Sequence, residues 1–584
     1  MSAARRALVA LALATLVVTV PGPAGAERSP APAVQSHGDV ARGLIVKTTG
    51  AAPSAAALSA AGAALGPDGL VVGDDALGSQ LSTIDFDHVV DVDVAARVAT
   101  RVARSGDVEW AIPNRLRRVQ ARAPISTNDP LFSQQRNLWD SAASRRGGYS
   151  IKAPALWQAT KGVPTTVVAV IDTGILAHPD LIGRTVAGYD FVSSASRARD
   201  GDGRDADPTD RGDWNVSGQC PYPGSTDSSW HGTFVAGQVA AAADNGTGIT
   251  GVAPGVRVQP VRALGRCGGW DSDILDSIRW ASGGTVRGVP ANATPAPIVN
   301  LSIGGMASSA RERRAVCRAY DDVARAGRAR GSIFVAAAGN ENDNANRAIP
   351  ASCSEYISVG ATSRKGFSAS YSNVGSTVDL SAPGGDSAAG DRRDAILSLG
   401  NAGSRRARGN GYVRYEGTSM AAPQVAGGAA LLHSLGFTTP ASLRSALYAS
   451  LTPFRPRSSA YAHKKIDGDN GSYRADLNCT TRGRRWCGRG LLDLSRVQAP
   501  ASVPSISGAA VVGGTVTASP VRWVSAPPAV AYTWRADGAP VGLGVSYQPT
   551  AADVGRRLTV TVSPASGVFA QLGSTSAATG PVTG

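Results

Sequence analysis

The sequence predicts an α/β chain built on a doubly wound parallel sheet, with a small α+β segment ahead of it and an all-β sandwich behind it. Three observations carry that reading. Between residues 128 and 497, short uninterrupted apolar runs (167–171, 256–261, 298–303, 332–338, 357–360) alternate with helical and Gly-rich stretches, the pattern of strands covered on both faces. From 27 to 122 the extended runs 43–49, 86–92 and 108–119 enclose an Ala/Arg helical stretch, 94–104. From 500 to 584, apolar and polar residues alternate at 515–518, 531–534 and 557–562 between Gly/Pro turns, with no helical period.

The first 26 residues read as a targeting segment. Arg5 and Arg6 precede an uncharged apolar stretch, 7–20, then Pro21 to Pro23 and the small residues Ala24-Gly25-Ala26. This is a three-part secretory signal, too short to span a bilayer, with cleavage expected after Ala26. No later stretch reaches eighteen uncharged apolar residues, so the mature chain is expected to be secreted, with no membrane anchor.

Length and composition bound the rest. The 584 residues allow about four units of roughly 150 residues, or fewer around one large domain. Hydrophobic residues at 43% and charged ones at 17% exclude a disordered chain. Lys plus Arg number 58 and Asp plus Glu 44, a net +14, but the Arg residues are spread in small groups (115–118, 405–408, 482–489) rather than along one stripe. Nucleic-acid binding is therefore not expected. Six Cys (220, 267, 317, 353, 479, 487) in an exported chain without a Cys-x-x-Cys pair favour disulfides over a metal cluster.

Three segments place a reactive side chain beside Gly or another small residue. The run Val168 to Gly174 delivers Asp172 at the carboxyl end of a buried strand, where open α/β sheets collect catalytic groups. His231 opens the helical stretch His231-Gly232-Thr233-Phe234-Val235-Ala236-Gly237, and Ser419 lies in Gly417-Thr418-Ser419-Met420-Ala421-Ala422-Pro423. Alone, these read as a turn former, a structural histidine and a helix cap. The order Asp, His, Ser with these flanks resembles the subtilisin-like serine proteases over about 128–497, an order that is a match to a known arrangement rather than a deduction. Gly-x-Ser-x-Gly and Gly-Asp-Ser-Gly-Gly runs, the marks of other serine hydrolases, are absent.

The resemblance implies an endopeptidase of broad specificity, made as a zymogen and acting as a monomer on protein or peptide substrates. Ser419 is the implied nucleophile, His231 the base and Asp172 its orienting partner, with Asn340 and the Ser419 N–H as the oxyanion hole. Ser302, Ile303, Gly304 and Gly305 are implied to form one wall of the substrate slot and Ala337 to Asn340, Ala338 and Gly339 among them, the other, with Glu341 at the rim. Segment 27–122 resembles, more faintly, the family's inhibitory propeptides, chiefly through Val108 to Asn114, which makes the chain's own propeptide an expected partner. The pairings Cys220 with Cys267, Cys317 with Cys353 and Cys479 with Cys487 are carried over in the same way. Phe234 stands where the family often has a second His, outside the triad. No cofactor is expected for the chemistry. The acidic run Asp200, Asp202, Asp205, Asp207, Asp210 and Asp213 offers hard oxygens for a structural calcium and reads equally as a solvated turn, so no metal ligand is assigned. A processing protease of narrow specificity, and a silent cell-surface binding protein, are the competing readings.

Overall fold

The computed structural model describes residues 40–50, 52–66, 69–76, 81–115, 127–139, 149–221, 223–389, 394–454, 479 and 486–584. The targeting segment 1–26 and residues 116–122, at the end of the expected propeptide, lie outside these. The chain divides into two compact units, Met1–Ala123 and Pro124–Gly584.

In the first unit four antiparallel strands stand in the order Val71–Ala76, Leu81–Asp91, Val40–Thr48, Val108–Arg115. Helices Ala55–Leu65 and Val92–Val102 cover them; Ser54 and Asp91 cap the two helices, the latter accepting from the Asp93 N–H at 2.8 Å. Leu44, Val46, Ile84, Val98 and Val102 are fully buried between sheet and helices. The first helix is Ala-rich and has a weak apolar stripe, so its sequence announces no period; its burial on the sheet holds it.

The second unit is organised by a nine-stranded sheet. Its strands lie side by side as Leu451–Thr452, Leu491–Leu492, Leu380–Pro383, Tyr356–Thr362, Ile333–Ala337, Ile298–Leu301, Val167–Asp172, Arg257–Arg262 and Tyr189–Asp190. Every pairing is parallel except that of the outermost strand, Leu451–Thr452. All six residues of Val167–Asp172 and all five of Ile333–Ala337 are buried, which explains their continuous apolar sequence. Helices His231–Ala240 and Thr418–Ser434 pack against one face and Asp271–Ala281 and Ala310–Ala329 against the other. The sheet is thus doubly wound. A hairpin, Ile396–Asn401 with Asn410–Tyr415, has no counterpart in the apolar runs of the sequence because its second strand is only half-buried. Disulfides join Cys220 to Cys267, Cys317 to Cys353 and Cys479 to Cys487.

Residues after about 500 form two antiparallel sheets, one of three strands and one of four, around fully buried Trp534. This β portion does not hang free. Val524, Phe569 and Leu572 belong to the same apolar core as Leu432 and Phe437, and the Phe437 and Phe569 rings meet edge to face with centroids 6.0 Å apart.

Candidate active site

The strand Val167–Asp172 ends by delivering Asp172, which is fully buried, and its Oδ1 accepts from the N–H of Thr173 at 2.8 Å. The helix His231–Ala240 starts directly above it. Gly232 is required there, because a Cβ on it would stand 2.1 Å from the carbonyl oxygen of Gly174. Thr173 locks the two elements together: its Oγ1 accepts from the Gly232 N–H at 2.9 Å and donates to Asp210 Oδ2 at 2.6 Å. The imidazole Nδ1 of His231 consequently lies 2.8 and 2.9 Å from the two carboxylate oxygens of Asp172. A nitrogen facing a carboxylate carries the proton, so Nε2 is the acceptor left for chemistry.

Burial alone would lower the His231 pKa. The charge and hydrogen bond of Asp172, with Asp213 and Asp210 behind them, outweigh it and hold the imidazole above its ordinary value. Asp210 has its own carboxyl pushed up to about 7 by burial.

Ser419 is the second residue of helix Thr418–Ser434, so its N–H has no acceptor within the helix. Pro423, four residues on, has no N–H to give the Ser419 carbonyl. The hydroxyl of Ser302 donates to that carbonyl instead, at 2.9 Å, and the Ser419 hydroxyl donates to the carbonyl of Ser302 at 3.0 Å. A missing helical bond thereby becomes a double tie between the helix and residue 302. In this state the Ser419 hydroxyl donates to Ser302 O rather than to His231 Nε2, and catalytic hydrogen bonds of this kind commonly form or tighten only when substrate is bound.

Asn340 follows the strand Ile333–Ala337. Its Oδ1 accepts from the N–H of Thr418 at 2.8 Å and from the Thr418 hydroxyl at 2.9 Å. The backbone N–H can only donate, which fixes the amide orientation and leaves Nδ2 as the free donor. The turn beyond it is held by buried Asn373, whose Oδ1 accepts from the N–H groups of Glu341 and Asp343 and whose Nδ2 donates to Ala338 O and, at 2.6 Å, to Glu341 Oε2. Gly339, at φ +100°, leaves room for that amide; a Cβ there would meet Asn373 Nδ2 at 2.3 Å.

His231, Ser419 and Asn340 open into one cleft of about 570 Å³, which Ser302, Ile303, Gly304, Gly305 and Gly339 also line. Asp172 sits behind it. Ala337 and Gly339 line the wall, whereas Ala338, just past the end of the strand Ile333–Ala337, is fully buried and does not line it. The far wall also takes in Met306, Ala348, Ile349 and Pro350, which carried no local signal. The acidic run separates into parts. Asp210 turns inward to Thr173, Asp213 reaches the cleft with both oxygens bonded to Ser229 (2.6 and 2.8 Å), and Asp207 pairs with Arg211 at 2.6 Å. Asp200, Asp202 and Asp205 alone bring carboxylate oxygens within 4.8 Å of one another among the described residues. Phe234 is buried and stacks on Tyr415, whose hydroxyl donates to the carbonyl of Ser229 at 2.9 Å. Neither Tyr415 nor Asn373 could be foreseen, because each acts across a long stretch of sequence.

Residues 164–473 match the model of the subtilase family. The chain is 46% identical over 330 residues to an extracellular protease of Xanthomonas campestris pv. campestris, covering 56% of this chain and 53% of that one. It is 40% identical over 370 residues to an extracellular basic protease of Dichelobacter nodosus, covering 62% and 57%. It thus spans about half the length of these curated relatives. Among solved structures, a protease from Pseudoalteromonas arctica superposes with a TM-score of 0.54 at 38% identity, over 63% of this chain and 98% of that one. With a carboxylate-bound histidine, a serine at a helix start and an asparagine amide gathered at the carboxyl ends of interior strands of a parallel sheet, and a family model matching more than half its length, the chain belongs to the subtilase family.

Proposed function

We propose that the protein is a secreted serine endopeptidase that cuts protein and peptide substrates through an acyl-enzyme on Ser419. The contact between His231 Nδ1 and the buried Asp172 carboxylate, in the cleft that Ser419 shares, is the observation that carries this reading. His231 Nε2 takes the Ser419 proton as Oγ attacks the scissile carbonyl, and returns it to the leaving amine. Asp172 holds the tautomer and stabilises the imidazolium. The Asn340 Nδ2 and the Ser419 N–H receive the oxyanion. Water then cleaves the acyl-enzyme by the same proton path, so no cofactor enters the chemistry. Ser302 to Gly305 on one side and Ala337 and Gly339 on the other flank the substrate, and the small residues there favour broad specificity.

Residues 1–26 act as the secretory signal, 27–122 as an inhibitory and folding propeptide, 128–497 as the catalytic domain and 500–584 as an accessory immunoglobulin-like domain of a monomeric enzyme. A structural calcium fits Asp200, Asp202 and Asp205: Asp200 Oδ1 is buried without a hydrogen-bond partner, and a hydrogen bond with Asp205, together with its charge, pushes the Asp202 carboxyl up. Such hard oxygens suit Ca²⁺, which would steady that loop.

The test compares wild type with Ser419→Ala for casein hydrolysis and for self-removal of the segment before about Asn128. The expected outcome is loss of both in the variant; equal behaviour of the two proteins refutes the reading.

A further inference from the structure

The cleft that Ser419 opens into is also lined by Leu264, Ile274, Ile303, Asp271 and Tyr320. Three of these are apolar. Asp271 is exposed at the start of helix Asp271–Ala281, and its Oδ1 accepts from the Tyr320 hydroxyl at 2.6 Å. Tyr320 comes from helix Ala310–Ala329 and is only 1% exposed, so the carboxylate is pinned from beneath by a rigid, buried donor. Among the described residues no ion pair engages Asp271. The neighbouring cation, Arg197, is committed elsewhere: its guanidinium lies 4.6 Å from the Trp270 ring centroid and donates to the carbonyls of Arg266 and Cys267.

The other carboxylates on the cleft, Asp213 and Glu341, are already tied to Ser229 and Asn373. Among the described residues no Lys or Arg lines the cleft, in a chain where Lys and Arg outnumber Asp and Glu by 58 to 44. The cleft thus runs against the sign of the protein, and Asp271 is its least committed anion.

We propose that Asp271, positioned by Tyr320, makes its part of the cleft a subsite for a cationic substrate side chain, Lys or Arg, whose aliphatic stem lies along Leu264, Ile274 and Ile303. The inference rests on the peptidase reading and deepens it: the enzyme tolerates many residues at the cut and selects for positive charge at one position removed from it.

The experiment measures kcat/KM for peptides with one constant residue at the cut and Lys, Ala or Glu placed in turn at each of the next positions on its acyl side. At one position Lys is expected to exceed Ala by roughly 3- to 10-fold, as one partly exposed, charge-assisted contact supplies. Asp271→Asn brings that ratio close to one, Tyr320→Phe lowers it partway, and Asp271→Lys inverts it so that the Glu peptide outpaces the Lys peptide. The inversion is a gain that a misfolded variant cannot produce. A wild type with no Lys preference at any position, or a preference that survives Asp271→Asn, overturns the proposal while leaving the peptidase reading intact. Failure of the wild type to cut any peptide overturns the peptidase reading instead.

Discussion

Asn340 has two duties that one substitution can separate. Its Oδ1 accepts from the Thr418 N–H and hydroxyl (2.8 and 2.9 Å), which anchors the start of the Ser419 helix, while in the proposed mechanism its Nδ2 serves the oxyanion. Asn340→Asp keeps the acceptor and replaces the donor by a second carboxylate oxygen. Removing one such donor costs about 2.7–4 kcal/mol of transition-state stabilisation, roughly 10²–10³ in kcat, a magnitude taken from a related enzyme rather than worked from these distances. Repulsion between the new carboxylate and the developing oxyanion places the loss at or beyond the upper end. Asn340→Ala removes both functions. Thr418 is fully buried, so its orphaned N–H adds about 1–3 kcal/mol of destabilisation that the Asp variant avoids. Steady-state kinetics on a peptide substrate and calorimetric unfolding of both variants read the two effects apart: a large fall in kcat for each, and a lowered midpoint for Asn340→Ala alone. An Asn340→Asp enzyme that keeps more than about a tenth of wild-type kcat would refute the assignment.

Two further outcomes follow from the same geometry. The base must be neutral to work, so activity falls as pH drops through the raised pKa of His231. Asp213 is one of the charges raising it, and Asp213→Asn should therefore move the acid limb of kcat/KM to lower pH, a shift that added salt diminishes; an unmoved or upward-moved limb contradicts the electrostatics. Phe569→Ala should lower unfolding free energy by about 3–5 kcal/mol, because the ring is buried in the core shared with Phe437; chemical denaturation of the full chain measures it, and a change under about 1 kcal/mol would mean that the shared core is not a structural bond.

The sheet is legible in the sequence where strands are buried on both sides, as in Val167–Asp172, since an unbroken apolar run this short, bounded by polar and turn-forming residues, suits a strand covered on both faces. Asp172, His231, Ser419 and Asn340 are visible because each stands beside glycines or small residues that close packing demands, as Gly232 does against Gly174 and Gly339 against Asn373. What stays hidden depends on contacts made across the chain. The Tyr320 hydroxyl reaches Asp271 over 49 residues, and the Asp213 carboxylate turns to Ser229 rather than to a cation. Of the wall that the resemblance assigns to 337–340, Ala338 is buried and does not line the cleft, because a run of three alanines does not announce which one meets it. The Ser302 hydroxyl bonded to Ser419 O is readable in part from Pro423, whose missing N–H predicts an unserved carbonyl four residues earlier.

The ring-on-ring joint of Phe437 with Phe569 ties the parallel-sheet portion to the β portion after residue 500, and the proposed activity gives that joint a second meaning. A peptidase bathed in its own activity digests whatever loosens first, and clipping away residues 500–584 would strip cover from Leu432 and Phe437 on the proposed catalytic side. Autolysis at that end would then shorten the working life of the enzyme rather than merely release an ornament.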